Sequence, residues 1–258
     1  MIKRILFGAV YAGLILLTLG YQHWSGPVLL SVFSLAVVNE VAKLTKSPTR
    51  WIILLAVAAW LFKWNYAGIS YGAYAELLLA GVSVVCLSMI HALFSKEPAT
   101  ALQSALTTTW YGFLPLAIGV VTALEQPMLI LYIFALIWAS DSFAYLAGKF
   151  FGKNPLAPSI SPKKTIEGLI GGIAGTLAVA WGTWAYFIPE SSVIAAYVVA
   201  LLVAVLAPMG DLLASVLKRN AGVKDSGIFL PGHGGALDRL DSFIFAAPII
   251  VLLYNTLL

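Results

Sequence analysis

Nine apolar runs govern what this chain can become. They begin near Ile5, Val28, Trp51, Tyr71, Trp110, Met128, Thr165, Val193 and Ser242. Most approach the ~20 residues a helix needs to cross the hydrocarbon core of a bilayer. Charged residues make up 10% of the 258 positions and the mean hydropathy is +0.95, whereas soluble domains are about one quarter charged. The expected fold class is all-α, a polytopic integral membrane protein with about nine transmembrane helices. It is read as a single membrane domain over 1–258, with N-terminal helices over 1–137 and the helices and loops that carry the polar motifs over 138–258. No soluble domain of any size is expected.

Two runs, Trp51–Phe62 and Trp110–Leu124, are short for full spans and call for tilt, re-entry or extension by their neighbours. Charge placement supports counting them. With the N-terminus cytoplasmic, fourteen of the fifteen Lys and Arg residues fall inside and only Lys63 falls outside, as the positive-inside rule demands. Merging two spans breaks that alternation. The C-terminus is then outside, and the protein is expected to be a multi-pass protein of the inner (cytoplasmic) membrane. Ile5–Gly20 is followed by Tyr-Gln-His-Trp rather than a small-x-small cleavage site, which favours an uncleaved anchor.

The sequence pI of about 9.1 reflects short basic loops, so the expected contact is anionic lipid headgroups and not nucleic acid. Cys86 stands alone in an apolar run, which excludes an intramolecular disulfide and a cysteine metal cluster. His23 and His91 read as packing or interfacial residues, and Trp24, Trp51, Trp64 and Trp110 as an aromatic belt. No internal repeat is visible, which argues against a transporter built from duplicated halves.

Polar chemistry concentrates in two cytoplasmic segments. In the first, Asp141 lies inside the sixth run, with Tyr145 and Lys149 at i+4 and i+8 on the same helical face. An ionisable residue within a span marks a site more often than a packing accident. Ser-Pro-Lys-Lys-Thr at 161–165 then precedes an apolar helix, so Lys163, Lys164 and the free amides of a helix start make an anion site; topology-setting lysines beside a capping Thr165 are the alternative.

The second segment, 208–241, holds eight of the twenty-six charged residues. On a helix continuing through Arg219, Asp211, Ser215 and Lys218 form one stripe. Lys-Asp-Ser-Gly at 224–227 follows, then Pro-Gly-His-Gly-Gly at 231–235, where glycine lets backbone amides approach a phosphate. Asp238 and Asp241 sit at i, i+3 on the last helix. Hard oxygen ligands without cysteine suggest Mg²⁺, which bridges one or two carboxylates to substrate phosphates. A salt-bridged surface turn would gain only ~0–1 kcal/mol per exposed pair and would not need this density of Gly and His.

Ser-Val-Leu-Lys-Arg at 215–219, Lys-Asp-Ser-Gly at 224–227 and Pro-Gly-His-Gly-Gly-Ala-Leu-Asp-Arg-Leu-Asp at 231–241 closely resemble the signature of the phosphatidate cytidylyltransferases. Trp-Ala-Ser-Asp-Ser-Phe-Ala-Tyr at 138–145 and Ser-Pro-Lys-Lys-Thr-Ile-Glu-Gly at 161–168 resemble further blocks of that family, so the likeness covers essentially the whole chain. Ala214 stands where the family usually has Glu, and Ala236 where it has a larger aliphatic residue.

The resemblance implies transfer of CMP from CTP to phosphatidate, giving CDP-diacylglycerol and pyrophosphate. The expected roles follow. Asp211 and Asp238, supported by Asp241 and Asp141, hold one or two ions, Mg²⁺ among them. Lys218 and Arg219 neutralise phosphates. Gly234, Gly235 and His233 orient the pyrophosphate or nucleotide, with Ser215, Lys224, Asp225 and Arg239 completing the substrate contacts. Lys163 and Lys164 hold the phosphatidate headgroup or the nucleotide's phosphate tail. CTP, phosphatidate and the lipid bilayer are the expected partners, and a homodimer is expected from the family alone. A CTP-dependent transferase acting on another lipid phosphate, or a phosphate or cation transporter, are the other readings.

Overall fold

A computed structural model describes residues 2–21, 24–69, 72–229 and 234–257. Helices dominate, and among the described residues six are long and apolar enough to cross a membrane: Ser25–Leu44, Ala75–Leu93, Pro98–Glu125, Pro127–Phe151, Ile166–Phe187 and Val193–Asn220. The molecule is a multi-pass, helical membrane protein. Its chain forms two compact units, Met1–Pro127 with Asp225–Arg239, and Met128–Lys224 with Leu240–Leu258.

The first unit contains α1 (Ile2–Tyr21), α2 (Ser25–Leu44), α3 (Arg50–Ala67), α4 (Ala73–Leu93), α5 (Pro98–Thr107) and α6 (Leu114–Glu125), the last two joined by a π-helical turn at Thr108–Phe113. Helix α2 is its centre and packs on α1, α3, α6 and the π turn, with Val37, Val38 and Val41 fully buried. The two short runs of the sequence are longer as helices. The third gains Lys63–Ala67, and Lys63 is accommodated by Glu76 of α4, 2.6 Å away and 1% exposed. The fifth begins twelve residues earlier than expected, at Pro98, because proline suits the first turn of a helix. Ser104, Thr107 and Thr108 then return their hydroxyls to backbone carbonyls three or four residues back. These three polar residues therefore extend the helix with their own hydroxyls paired.

The second unit holds α7 (Pro127–Phe151), α8 (Ile166–Phe187), α9 (Val193–Asn220) and α10 (Leu237–Leu257) from Leu240 on. One feature departs from the all-α expectation. Between α7 and α8 lies an antiparallel hairpin, β1 (Pro155–Ala157) and β2 (Ser161–Thr165), with Pro155 opposite Thr165. Pro155, Pro158 and Pro162 bar a helix there, and the backbone pairs across the gap instead.

Thr165 ends the hairpin and starts α8, its hydroxyl accepting from the Gly168 N–H at 3.1 Å. The glycines of α8 explain how α7 and α8 meet. A Cβ at Gly168 would lie 2.9 Å from the Ala144 carbonyl, and one at Gly172 3.2 Å from both Ala144 and Ser140. At Gly171 and Gly175 it would strike Ala147 and Phe143 outright. The small-residue stripe is thus used within the chain, for close helix packing of the kind membranes favour.

Candidate active site

In the second unit the sequence motifs converge on Asp211. Helix α9 runs through Arg219 as expected, and the Ser215 hydroxyl donates to Asp211 Oδ1 at 3.4 Å. From the hairpin, Lys164 Nζ reaches Asp211 Oδ2 at 2.6 Å and the Pro208 carbonyl at 3.3 Å. Both partners keep some access, with side chains 26% and 38% exposed. That access leaves the ammonium within reach of an anion from outside.

Gly210 lets α10 approach. A Cβ there would collide with the Asp241 carbonyl and lie 2.9 Å from Phe245 Cβ. Asp241 consequently has Asp211, Lys218 and Asp141 as its charged neighbours. Lys218 is buried, at 8% exposure, which for an ammonium group requires compensating negative charge. Asp141, Tyr145 and Lys149 are all exposed on α7. The cluster is therefore three carboxylates and two ammonium groups. Among the described residues no three acidic, His or Cys side chains close into a metal cage.

The other candidates of this unit are more peripheral. Lys163, adjacent to Lys164 on β2, is exposed and makes no ion pair with a described residue, because successive strand residues face opposite ways. Arg219 donates to the Val223 carbonyl at 3.1 Å and so closes the C-terminal turn of α9. Lys224 is exposed. The hairpin is tied at its base by Glu167, which sequence reasoning left without a role. Its carboxylate accepts from the backbone N–H groups of Lys153 and Asn154, and from the Asn154 side chain at 2.7 Å.

In the first unit lies the glycine loop. His233 falls outside the described residues. Asp225 is exposed, and Arg239, also exposed, has its carbonyl bonded by the Tyr11 hydroxyl at 3.2 Å. Asp238 Oδ2 accepts from the Ser226 N–H at 2.9 Å and the Gly235 N–H at 2.8 Å, with the Ser226 hydroxyl 3.0 Å away. Reaching back three residues to an amide is how an acid organises a helix start. Gly234 has φ +83°, and a Cβ on it would lie 2.6 Å from that same oxygen. Glycine is needed there for both reasons.

The loop's other anchor was not anticipated. Glu40 of α2 is 6% exposed and accepts from the Ser226 hydroxyl at 2.7 Å and the N–H groups of Ala236 and Leu237, each at 2.9 Å. The signal available in the sequence was a lone carboxylate inside an apolar run, the kind of residue that is costly in a membrane unless used.

Comparison with known proteins adds an independent line. The sequence model described as "Cytidylyltransferase family" matches residues 2–257. The chain is 48% identical over 118 residues to a phosphatidate cytidylyltransferase of Synechocystis sp., an alignment covering 45% of this chain and 40% of that protein. It is 47% identical over 124 residues to one from Staphylococcus aureus, covering 48% of each. In these two alignments the chain spans less than half the length of its relative. With a phosphatidate cytidylyltransferase of Haemophilus influenzae, identity is 31% over 246 residues and 84% of each chain is covered.

Proposed function

The chain belongs to the cytidylyltransferase family, and on that premise we propose that it is a phosphatidate cytidylyltransferase, converting CTP and phosphatidate to CDP-diacylglycerol and pyrophosphate. A phosphate oxygen of phosphatidate attacks the α-phosphorus of CTP, the bond to the β-phosphate breaks, and pyrophosphate carries away the electron pair. The phosphate monoester, with a second pKa near ~6, is already anionic at pH 7. No strong general base is needed, and catalysis rests on positioning and on neutralising charge.

The observation that carries this reading is the Lys164–Asp211 pair, 2.6 Å across and still accessible, beside Asp241, Asp141 and buried Lys218. Three acidic side chains face two ammonium groups, so the cluster can offer oxygen ligands to a cation. The donor set is all oxygen, which fits Mg²⁺; such an ion needs only one or two carboxylates and completes its shell with water and substrate phosphates. Asp211 and Asp241 would hold it, with Asp141 as a supporting charge, and when bound it would screen the phosphate oxygens during in-line transfer. Lys164 exchanges Asp211 for an incoming phosphate, and Lys218 holds the negative charge of the cluster in place. Asp238 serves the glycine loop, where its Oδ2 already accepts two amides.

The membrane arrangement belongs to the same proposal: nine crossings, a cytoplasmic N-terminus, an external C-terminus and a site at the inner face of the cytoplasmic membrane. Fourteen of fifteen basic residues on one side support it. CTP then arrives from the cytoplasm, and the acyl chains of phosphatidate enter sideways from the bilayer.

The test is pyrophosphate release by the purified protein in detergent or nanodiscs, given CTP, phosphatidate and Mg²⁺. Release should require both substrates, fail with ATP, and disappear in Asp211→Asn. If folded protein releases no pyrophosphate from CTP with phosphatidate or with any other lipid phosphate, the transferase reading is wrong.

A further inference from the structure

Glu40 sits where the sequence shows only an apolar helix, yet two limbs of the glycine loop converge on it. One limb is Ser226 and Gly227; the other is Gly235, Ala236 and Leu237. Glu40 bridges them with three hydrogen bonds of 2.7–2.9 Å. Its contacts lie 186 to 197 residues away in sequence. Both limbs are shaped to admit it. A Cβ on Gly227 would lie 2.7 Å from Glu40 Oε1, and one on Gly235 would collide with Glu40 Oε2 and the Ser226 hydroxyl.

The carboxylate also meets the first N–H groups of α10, which have no partner within their own helix, and its negative charge opposes the helix dipole favourably. Ser226 links it to the acid of the loop. The serine's single hydroxyl proton goes to Glu40, the nearer oxygen at 2.7 Å, while its backbone N–H goes to Asp238 at 2.9 Å. Fixing Glu40 therefore fixes Ser226, and Ser226 fixes Asp238. Aromatic packing by Phe33 of α2 against Phe229, ring centroids 5.4 Å apart, holds the same loop from the same helix.

Burying a carboxylate costs stability that an apolar residue would not, and what this one provides is a single defined spacing of the two limbs. We propose that Glu40 is a positioning residue for nucleotidyl transfer, acting through Ser226 and the amides of Ala236 and Leu237 on the segment Gly234–Asp238. The proposal rests on the transferase reading above for its effect on turnover, but not for its effect on the loop.

Glu40→Gln is the decisive variant. Oε1 faces the Ala236 N–H and Oε2 faces the Leu237 N–H, so whichever way the amide is turned, its NH₂ meets a buried donor. The protein is examined whole, in nanodiscs, with Glu76→Gln as a control that removes a buried carboxylate from the same unit without touching the loop. Hydrogen–deuterium exchange over 234–238 should accelerate in Glu40→Gln and not in the control. kcat per folded molecule should fall about ten- to a hundredfold, with KM for CTP changed less, and the control should keep wild-type kcat. Ser226→Ala combined with Glu40→Gln should cost less than the two losses multiplied, as for residues acting in one chain of contacts. Unchanged exchange over 234–238 overturns the positioning role whatever the activity. Accelerated exchange with wild-type kcat overturns its link to the reaction. A wild-type protein that releases no pyrophosphate refutes the transferase reading instead, and the exchange experiment still decides whether Glu40 holds the loop.

Discussion

The hairpin at 152–165 and the glycine loop at 225–239 are both polar segments held by a glutamate, and they are held in opposite ways. Glu167 ties the hairpin from 13 and 14 residues away, at the exposed start of the very next helix. Glu40 ties the glycine loop from almost 200 residues away and from inside the protein. A local clasp can open and reclose with small loss, since water replaces each bond. A buried one cannot, because every donor left behind has nothing else to meet. On the function proposed above, the hairpin's Lys164 has to exchange Asp211 for a substrate phosphate, whereas the loop's amides have to stay on Glu40 and Asp238.

Four expected outcomes test that contrast. The largest lies where the hairpin meets α9: Asp211→Asn should lower kcat by roughly 10²–10³-fold, as removal of a charge that acts on the transition state does, while expression and membrane insertion stay normal. Near-normal pyrophosphate release would detach the Lys164–Asp211 pair from the chemistry. Next is Gly235→Ala, which forces a methyl group into Glu40 and Ser226. Overpacking of this kind costs about 1–3 kcal/mol and should appear as a lower unfolding temperature, whereas Gly182→Ala, with nothing within 4 Å of its Cβ, should leave it unchanged. Equal behaviour of the two would mean the loop is not packed as tightly as Glu40's contacts require.

Third, Lys164→Met should raise KM for a phosphate-bearing substrate by about tenfold, the worth of one charge-assisted contact. Lys163→Met, on the opposite face of the strand, should cost less. Reversal of that order would place the phosphate on the other side of the hairpin. The smallest effect is expected from Glu167→Gln, an exposed clasp: a faster protease cut within 152–165 and little change in unfolding temperature. A large loss of stability there would erase the distinction between the local and the buried anchor.

Much of this was legible in the residues. Pro98 marked a helix start, but the apolar count that began at Trp110 overlooked it, because Ser104, Thr107 and Thr108 read as polar until their hydroxyls are seen returning to the helix backbone. Lys163 and Lys164 were read as one anion site; only the strand geometry separates the lysine that meets Asp211 from the one that does not. Asp211, Ser215 and Lys218 lie along one side of α9, because helical periodicity alone dictates it. Asp238 and Asp241 share a helix, as their spacing requires, yet Asp238 answers to the loop that precedes it and Asp241 to the charges of α7 and α9.

Hydropathy, charge bias, prolines and caps act over a turn or two of chain, and by themselves they determined a helical membrane protein, all of its helix starts but the fifth to within a few residues, and the segments in which polar chemistry is concentrated. The choice of partners was left to the tertiary structure. No local rule tells Glu40 that Ala236 and Leu237 will need an acceptor, or tells Gly175 that Phe143 will lie against it. Those pairings arise because a buried donor or an empty volume is costly wherever it occurs, and only the folded chain shows which distant residue relieves it.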